Sequence, residues 1–221
     1  ESRAELGTIV TYQQSELERL GVEVRTGERV DADAVGAYDV EAVIVATGSK
    51  PRQDPIDSDG SIPFVAPIEV MADPAPWHGR HVLIFDIVAN MVAYAPAEAL
   101  LRAGATVTIA TPKLYFGSGL DMATMTTAIR RLATMGASLC ANSLVTGIAD
   151  GAVHIQDTMT GEARTEPADA VVAAVGNRAV DALAHSLEAN ARLEVHLVGD
   201  AAAPRTILEA VREGRTAGRA V

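Results

Sequence analysis

The chain is 221 residues long, 48% hydrophobic and 4% aromatic, with 29 acidic against 18 basic residues and a net charge of −11. That length suits one large domain or two small ones with a sizeable core, and the acidic balance argues against nucleic acid and anionic membranes as partners. The single cysteine, Cys140, cannot form an internal disulfide or supply an iron–sulfur or zinc spacing, and reads as a small buried hydrophobe. No apolar run approaches the roughly 20 residues of a membrane span and no secretory signal opens the chain, so a cytoplasmic location is expected.

The elements follow from periodicity. Ile9, Val10, Tyr12, Leu17 and Leu20 recur at helical spacing before Gly21, a helix stop. Val22-Glu-Val-Arg25 alternates like a strand, and Asp31-Ala-Asp-Ala-Val35 reads as a short helix or turn. Residues 41–46, apolar throughout after Glu41, read as a strand that runs into Thr47-Gly48. Residues 49–67, rich in Pro, Asp, Ser and Gly, read as an exposed crossover and a domain boundary. Ile68–Met71 is a helical turn. A βαβ unit follows: strand His81–Phe85, a helix over residues 90–103, Gly104 as its stop, and strand Thr106–Ala110. The helix is amphipathic, with Ala93, Ala97, Leu100 and Leu101 inward. Met122–Met135 is another helix, closed by Gly136, whose methionines read as core filling. Segments 138–141, 144–148 and 152–156 read as a β-meander, and Ala170–Val175 as a buried strand before Gly176.

Two strand ends carry the chemistry. Val195-His-Leu-Val198 ends in Gly199-Asp200, and Val43-Ile-Val45 ends in Ala46-Thr47-Gly48. Glycine permits close approach of backbone to a ligand, and an aspartate accepts hydrogen bonds from sugar-type hydroxyls. A helix after Asp200 would aim its positive N-terminus at a phosphate. Arg205, after Pro204, has two open readings: a contact to a flavin or ADP phosphate, or a domain-interface ion pair. The candidate cofactor-binding residues are therefore Ala46, Thr47, Gly48, Gly199, Asp200 and Arg205. No residue reads as catalytic or metal-binding. His78 and His81 lack a nearby third ligand, and Asp57, Asp59 and Asp73 read as solvated loop charges.

Four runs together resemble the C-terminal region of the NADH:flavin oxidoreductase, 2,4-dienoyl-CoA reductase and trimethylamine dehydrogenase family. They are Ala46-Thr47-Gly48, Gly79–Phe85 leading to Ala97–Thr108, Leu197–Arg205, and the opening Arg3–Val24. The Asp-Ala-x-Ala-Pro-Arg form of residues 200–205 is similar to the amine dehydrogenase branch. The resemblance implies an α/β fold of two Rossmann-like, three-layer nucleotide-binding domains, the inner inserted in the outer. The outer, partial FAD- or ADP-binding domain would be residues 1–66 plus 177–221, and the inner NAD(P)-binding-type domain residues 67–176. It also implies an intact enzyme with an N-terminal barrel carrying FMN, a 4Fe–4S cluster, and a homo-oligomeric state. The chain begins at Glu1 without methionine and stops at Val221 inside a helix-like run, so a longer polypeptide is expected.

The inner βαβ departs from the family pattern. Its turn, Asp86-Ile-Val-Ala-Asn-Met91, contains no glycine, and Thr111-Pro112 stands where an NAD site would place an acid. NAD(P)H binding there is not expected, and Asp86 reads as a cap of the following helix. The function expected is cofactor binding in support of electron or hydride transfer in a flavoprotein oxidoreductase. The rivals are a non-catalytic ADP-binding or assembly scaffold and a free-standing NAD(P)H-dependent FAD reductase.

Overall fold

The computed structural model describes residues 7–52, 56–188 and 192–221. The opening run Arg3–Leu6, part of the resemblance, lies outside them. In chain order the elements are helices α1 (Gly7–Arg19) and α2 (Ala32–Gly36), strands β1 (Ala42–Val45), β2 (Ser49–Pro51), β3 (Asp57–Ser58) and β4 (Phe64–Val65), and helix α3 (Pro67–Ala72). Then come β5 (His81–Asp86), α4 (Met91–Arg102), β6 (Thr106–Ala110), α5 (Met122–Thr134), β7 (Ser138–Cys140), β8 (Ser143–Ala149), β9 (Ala152–Asp157) and β10 (Ala163–Glu166). The chain closes with β11 (Ala170–Ala174), β12 (Asn177–Ala179), α6 (Ala182–Leu187), β13 (Glu194–Leu197) and α7 (Ile207–Ala220). It divides into two compact units, residues 1–43 with 182–195, and residues 44–181 with 196–221.

In the larger unit a five-stranded sheet runs β4-β11-β5-β6-β7 with every pairing parallel. Its strands are apolar at consecutive positions because both faces are covered. Val82 and Ile84 of β5 point to one core with Val107 and Ile109 of β6 and with Ala93, Ala97 and Leu100 of α4. Leu83 and Phe85, on the opposite face, join Val145 and Ile148 of β8 and Val153 and Ile155 of β9. The period of two thus feeds two cores and makes three layers: helices, parallel sheet, and a second sheet ordered β10-β9-β8-β3. Burying each such Leu, Ile or Phe contributes about 1.5–3 kcal/mol. The α/β Rossmann-like architecture follows from this arrangement. In the smaller unit, α1 buries no residue, while α2 is capped by the Asp31 side chain on the Ala34 amide and buries Val35.

Several expectations need correction. Val22–Arg25 is not a strand, and Val22 and Val24 are exposed. Alternation alone makes no ladder, and these residues have no partner strand among the described residues. The 49–67 crossover holds three short strands, each recruited by a distant one: β2 by β12, β3 by β8 and β4 by β11. β7 does not begin a meander but pairs in parallel with β6 at the edge of the central sheet. Met122 is 77% exposed rather than core filling, because Asp121 caps α5 and leaves its first turn in solvent. Asp59 is more than a solvated charge. It accepts from the Ser61 and Asp150 amides (2.8 and 2.9 Å), and the Ser61 side chain together with those amides holds its carboxyl below the usual range.

Candidate functional site

The candidate residues gather at the exits of β1 and β13, which pair with each other. Residues 46–49 leave β1 and enter the two-stranded antiparallel ribbon of β2 and β12. The Gly48 carbonyl accepts from the Val180 amide at 3.0 Å, and the Thr47 hydroxyl donates to the Val180 carbonyl. Thr47 is thus committed to locking the strand exit. Gly48 has φ +75°, and a Cβ built on it would meet no atom within 4 Å. Its side is open space, and its backbone conformation favours glycine. Ala46 is exposed beside it.

From the other strand, Gly199 turns the chain at φ +64° into a short 3-10 turn, Gly199–Ala201. A Cβ here would sit 3.3 Å from Ala210 Cβ, so this glycine admits close packing of α7. Asp200 is half-buried and held through both oxygens: Oδ2 accepts from Ser49 Oγ at 2.7 Å, and Oδ1 from the Arg205 amide at 3.2 Å. Asn177 Nδ2 donates to the same Ser49 Oγ at 2.9 Å. An Asn177–Ser49–Asp200 chain therefore ties the ribbon to the Gly-Asp turn. Each carboxylate oxygen still has a second lone pair for an incoming hydroxyl.

The helix after Asp200 is less available than expected. It starts only at Ile207, and its first turn is already filled: the Leu208 amide donates to Thr206 Oγ1 at 3.2 Å, and Glu209 closes a capping box with Thr206. The Gly199 amide donates to Glu213 Oε2 at 2.8 Å. Arg205 pairs with the same Glu213 and donates from Nε to the Ala203 carbonyl at 3.1 Å. Its guanidinium therefore closes an ion pair onto α7. Ser49, Asn177 and Glu213 were not singled out from the sequence. Ser49 follows Thr47-Gly48 and Asn177 follows Gly176, so a polar residue one position past each strand-end glycine was the available signal.

The inner turn is closed by the chain itself. The Ile87 amide donates to the Ala174 carbonyl at 3.1 Å, and Ala89 stands at φ +51° without being glycine. The Gly119 amide donates to the Ala89 carbonyl at 3.0 Å, and a Cβ on Gly119 would lie 2.9 Å from the Val88 carbonyl. The 117–120 loop thus covers the turn where a dinucleotide-binding fold would place a diphosphate, and these residues do not fit NAD(P)H. Asp86 caps this turn, accepting from the Ala89 amide at 2.7 Å, while the cap of α4 is Asn90. Helix α4 begins five residues past Asp86, too far for that carboxylate to reach its first amides, which corrects the expected helix cap. Asp86 is fully buried, and its Oδ2 has no hydrogen-bond partner. Burial pushes this carboxyl up to about 6, against the lowering effect of the Ala89 amide and the nearby Tyr94. The Tyr94 hydroxyl accepts from the Gly117 amide at 2.7 Å, and burial, with the nearby Asp86 carboxylate, pushes its pKa well above the ordinary tyrosine value. His78 Nδ1 meets the Ala103 carbonyl and His81 Nε2 meets Thr108 Oγ1, at 2.8 and 2.9 Å.

The sequence profile described as pyridine nucleotide-disulphide oxidoreductase matches residues 8–214. The chain belongs to that family. It is a nucleotide-binding domain of the flavin-dependent oxidoreductase kind, related to amine dehydrogenases. A Rhizobium meliloti (strain 1021) protein named "Probable N-methylproline demethylase" is 33% identical over 114 residues, 52% of this chain and 16% of that protein. Histamine dehydrogenase from Rhizobium sp. 4-9 superposes with a TM-score of 0.83 at 28% identity, over 96% of this chain and 35% of that one. The 6-hydroxypseudooxynicotine amine oxidase of Pseudomonas geniculata N1 superposes at 0.87 and 25% identity, over 97% and 34%. The chain thus spans about a third of these enzymes and a smaller share of the curated relative. The kinship with amine dehydrogenases expected from residues 200–205 holds.

Proposed function

We propose that this chain is the FAD- or ADP-binding region of a larger flavoprotein oxidoreductase of the amine dehydrogenase type. The observation that carries the reading is the convergence of Gly48, open on its Cβ side, with Asp200, held in place by Ser49 and Asn177. The residues fit one wall of a nucleotide site. The Gly48 backbone leaves room for a ligand, and Asp200 is oriented to accept from ribose or ribityl hydroxyls. A bound flavin would supply the hydride and electron chemistry. The chain's part is binding and orientation. Thr47 fixes the β1 exit, Ser49 and Asn177 hold the carboxylate, and Glu213 with Arg205 fastens α7 beneath Gly199.

The remaining parts of the proposal rest on the family resemblance. They are an outer domain of residues 1–66 plus 177–221 around an inner one of 67–176, and a barrel with FMN and a 4Fe–4S cluster elsewhere in the polypeptide. A homo-oligomeric, cytoplasmic enzyme without nucleic-acid or membrane partners completes it. No helix among the described residues is long and apolar enough to cross a membrane. A second reading, an ADP-binding scaffold without redox chemistry in this region, is favoured by the occupied Gly199 amide and the self-capped α7. The test is the absorbance spectrum of the full-length protein containing this chain, with chromatography of the nucleotide released by denaturation. Flavin and iron–sulfur absorption with FAD in the extract support the first reading. ADP in the extract without FAD supports ADP occupancy. A colourless protein releasing no adenine nucleotide refutes both.

A further inference from the structure

We propose that the cleft between the β2–β12 ribbon and the β4 edge of the parallel sheet binds a small organic anion with an apolar body, such as an aromatic carboxylate. The cleft has a volume of about 460 Å³, within the range of small-molecule sites. Its walls are Pro51, Phe64, Val65 and Ile68, and its charged lining includes Lys50 and Arg52. Ile68 is 66% exposed, an apolar side chain left in solvent at the mouth.

The charges are arranged against the chain's own preference. The ribbon register places Lys50 directly opposite Arg178. Directly opposed residues share a face, and like charges so placed repel. Among the described residues, the side chains of Lys50, Arg52 and Arg178 have no hydrogen-bond or ion-pair partner. Lys50 and Arg52 thus line the cleft, and Arg178 stands opposite Lys50 in the ribbon, in a chain whose net charge is −11. The one carboxylate in the lining, Glu69, is already used: its Oε2 accepts from the Ala66 amide at 2.9 Å and caps α3. An anion entering the cleft would relieve the Lys50–Arg178 repulsion and cover Phe64 and Ile68 together. A charge or an apolar surface alone would do only half of this. The site is independent of the nucleotide reading, since none of these side chains belongs to the Gly48–Asp200 cluster.

The probes are benzoate, inorganic phosphate and benzyl alcohol, each titrated into the isotope-labelled protein while its amide resonances are followed. Benzoate is expected to shift residues 50–52, 64–68 and 178 saturably, and to bind about tenfold or more tighter than phosphate or benzyl alcohol. The Lys50→Gln/Arg178→Gln protein is expected to lose about tenfold in benzoate affinity with the β5 and β6 amides unmoved, which shows that it folds. Ile68→Ser, on the exposed side of α3, is expected to weaken benzoate and leave phosphate unchanged. The proposal is overturned by any of three results: no saturable shift at those residues, benzoate binding that survives the double substitution, or phosphate or benzyl alcohol binding as tightly as benzoate.

Discussion

Asp86 is the clearest place to test the physics of the fold. It sits at the end of β5, fully buried, with Oδ1 on the Ala89 amide and Oδ2 unpartnered. Burial raises its carboxyl from 3.8 to about 6, which corresponds to about 3 kcal/mol of folding free energy. The sign is set by proton binding. Between about pH 4 and 6 the folded chain holds a proton on Asp86 that the unfolded chain has released, so stability falls as pH rises through that window. Below both values the penalty is absent, and above about 7 it is complete. Glu23, Asp59, Asp121, Asp157 and Glu209 are shifted the other way and lose their contribution as pH falls, so the total curve mixes both signs. Asp86→Asn isolates the one group. Its amide oxygen still accepts from Ala89, and it cannot ionise. In urea unfolding at a series of pH values, the stability of the variant minus that of the parent should rise by about 3 kcal/mol between about pH 4 and 7. A difference that stays flat across that window, or rises toward acid, would refute the burial argument.

Gly119→Ala places a Cβ 2.9 Å from the Val88 carbonyl, a backbone atom that cannot swing aside. It should cost about 1–3 kcal/mol and raise hydrogen exchange at Ala89, Gly117 and Gly119, whereas an unchanged midpoint would mean the loop does not pack on the turn. Gly199→Ala meets both a left-handed backbone and Ala210, and should lower stability by about 1–2 kcal/mol in the same assay. Leu100→Ala, in the helix-side core, should cost about 2–5 kcal/mol. Ser49→Ala removes the donor to Asp200 Oδ2 and should reduce the adenine nucleotide retained after extensive dialysis, with the unfolding midpoint falling by no more than about 1 kcal/mol equivalent. Full retention would show that Asp200 needs no positioning.

What the amino-acid order determined by itself was every element whose cause is local. The helical spacing before Gly21, the stops at Gly104 and Gly136, and the apolar runs of β1, β5, β6 and β11 all depend on neighbours a few residues away, and they stand in the fold as read. The family also belongs to this class, since residues 200–205 and the βαβ pattern carry it without coordinates. The tertiary structure decided what depends on distant partners. Val22–Arg25 alternates yet forms no strand, while the loop-like 49–67 yields three strands, because a ladder exists only where another strand lies alongside. The glycine-free turn at 86–91 was visible in the sequence, but its closure by Gly119 was not, since a loop 30 residues on supplies the lid. Likewise the residues that hold Asp200 lie about 20 and 150 positions away, at Asn177 and Ser49. A hydrogen bond between such positions is fixed by the packing of strands and leaves no trace in local spacing.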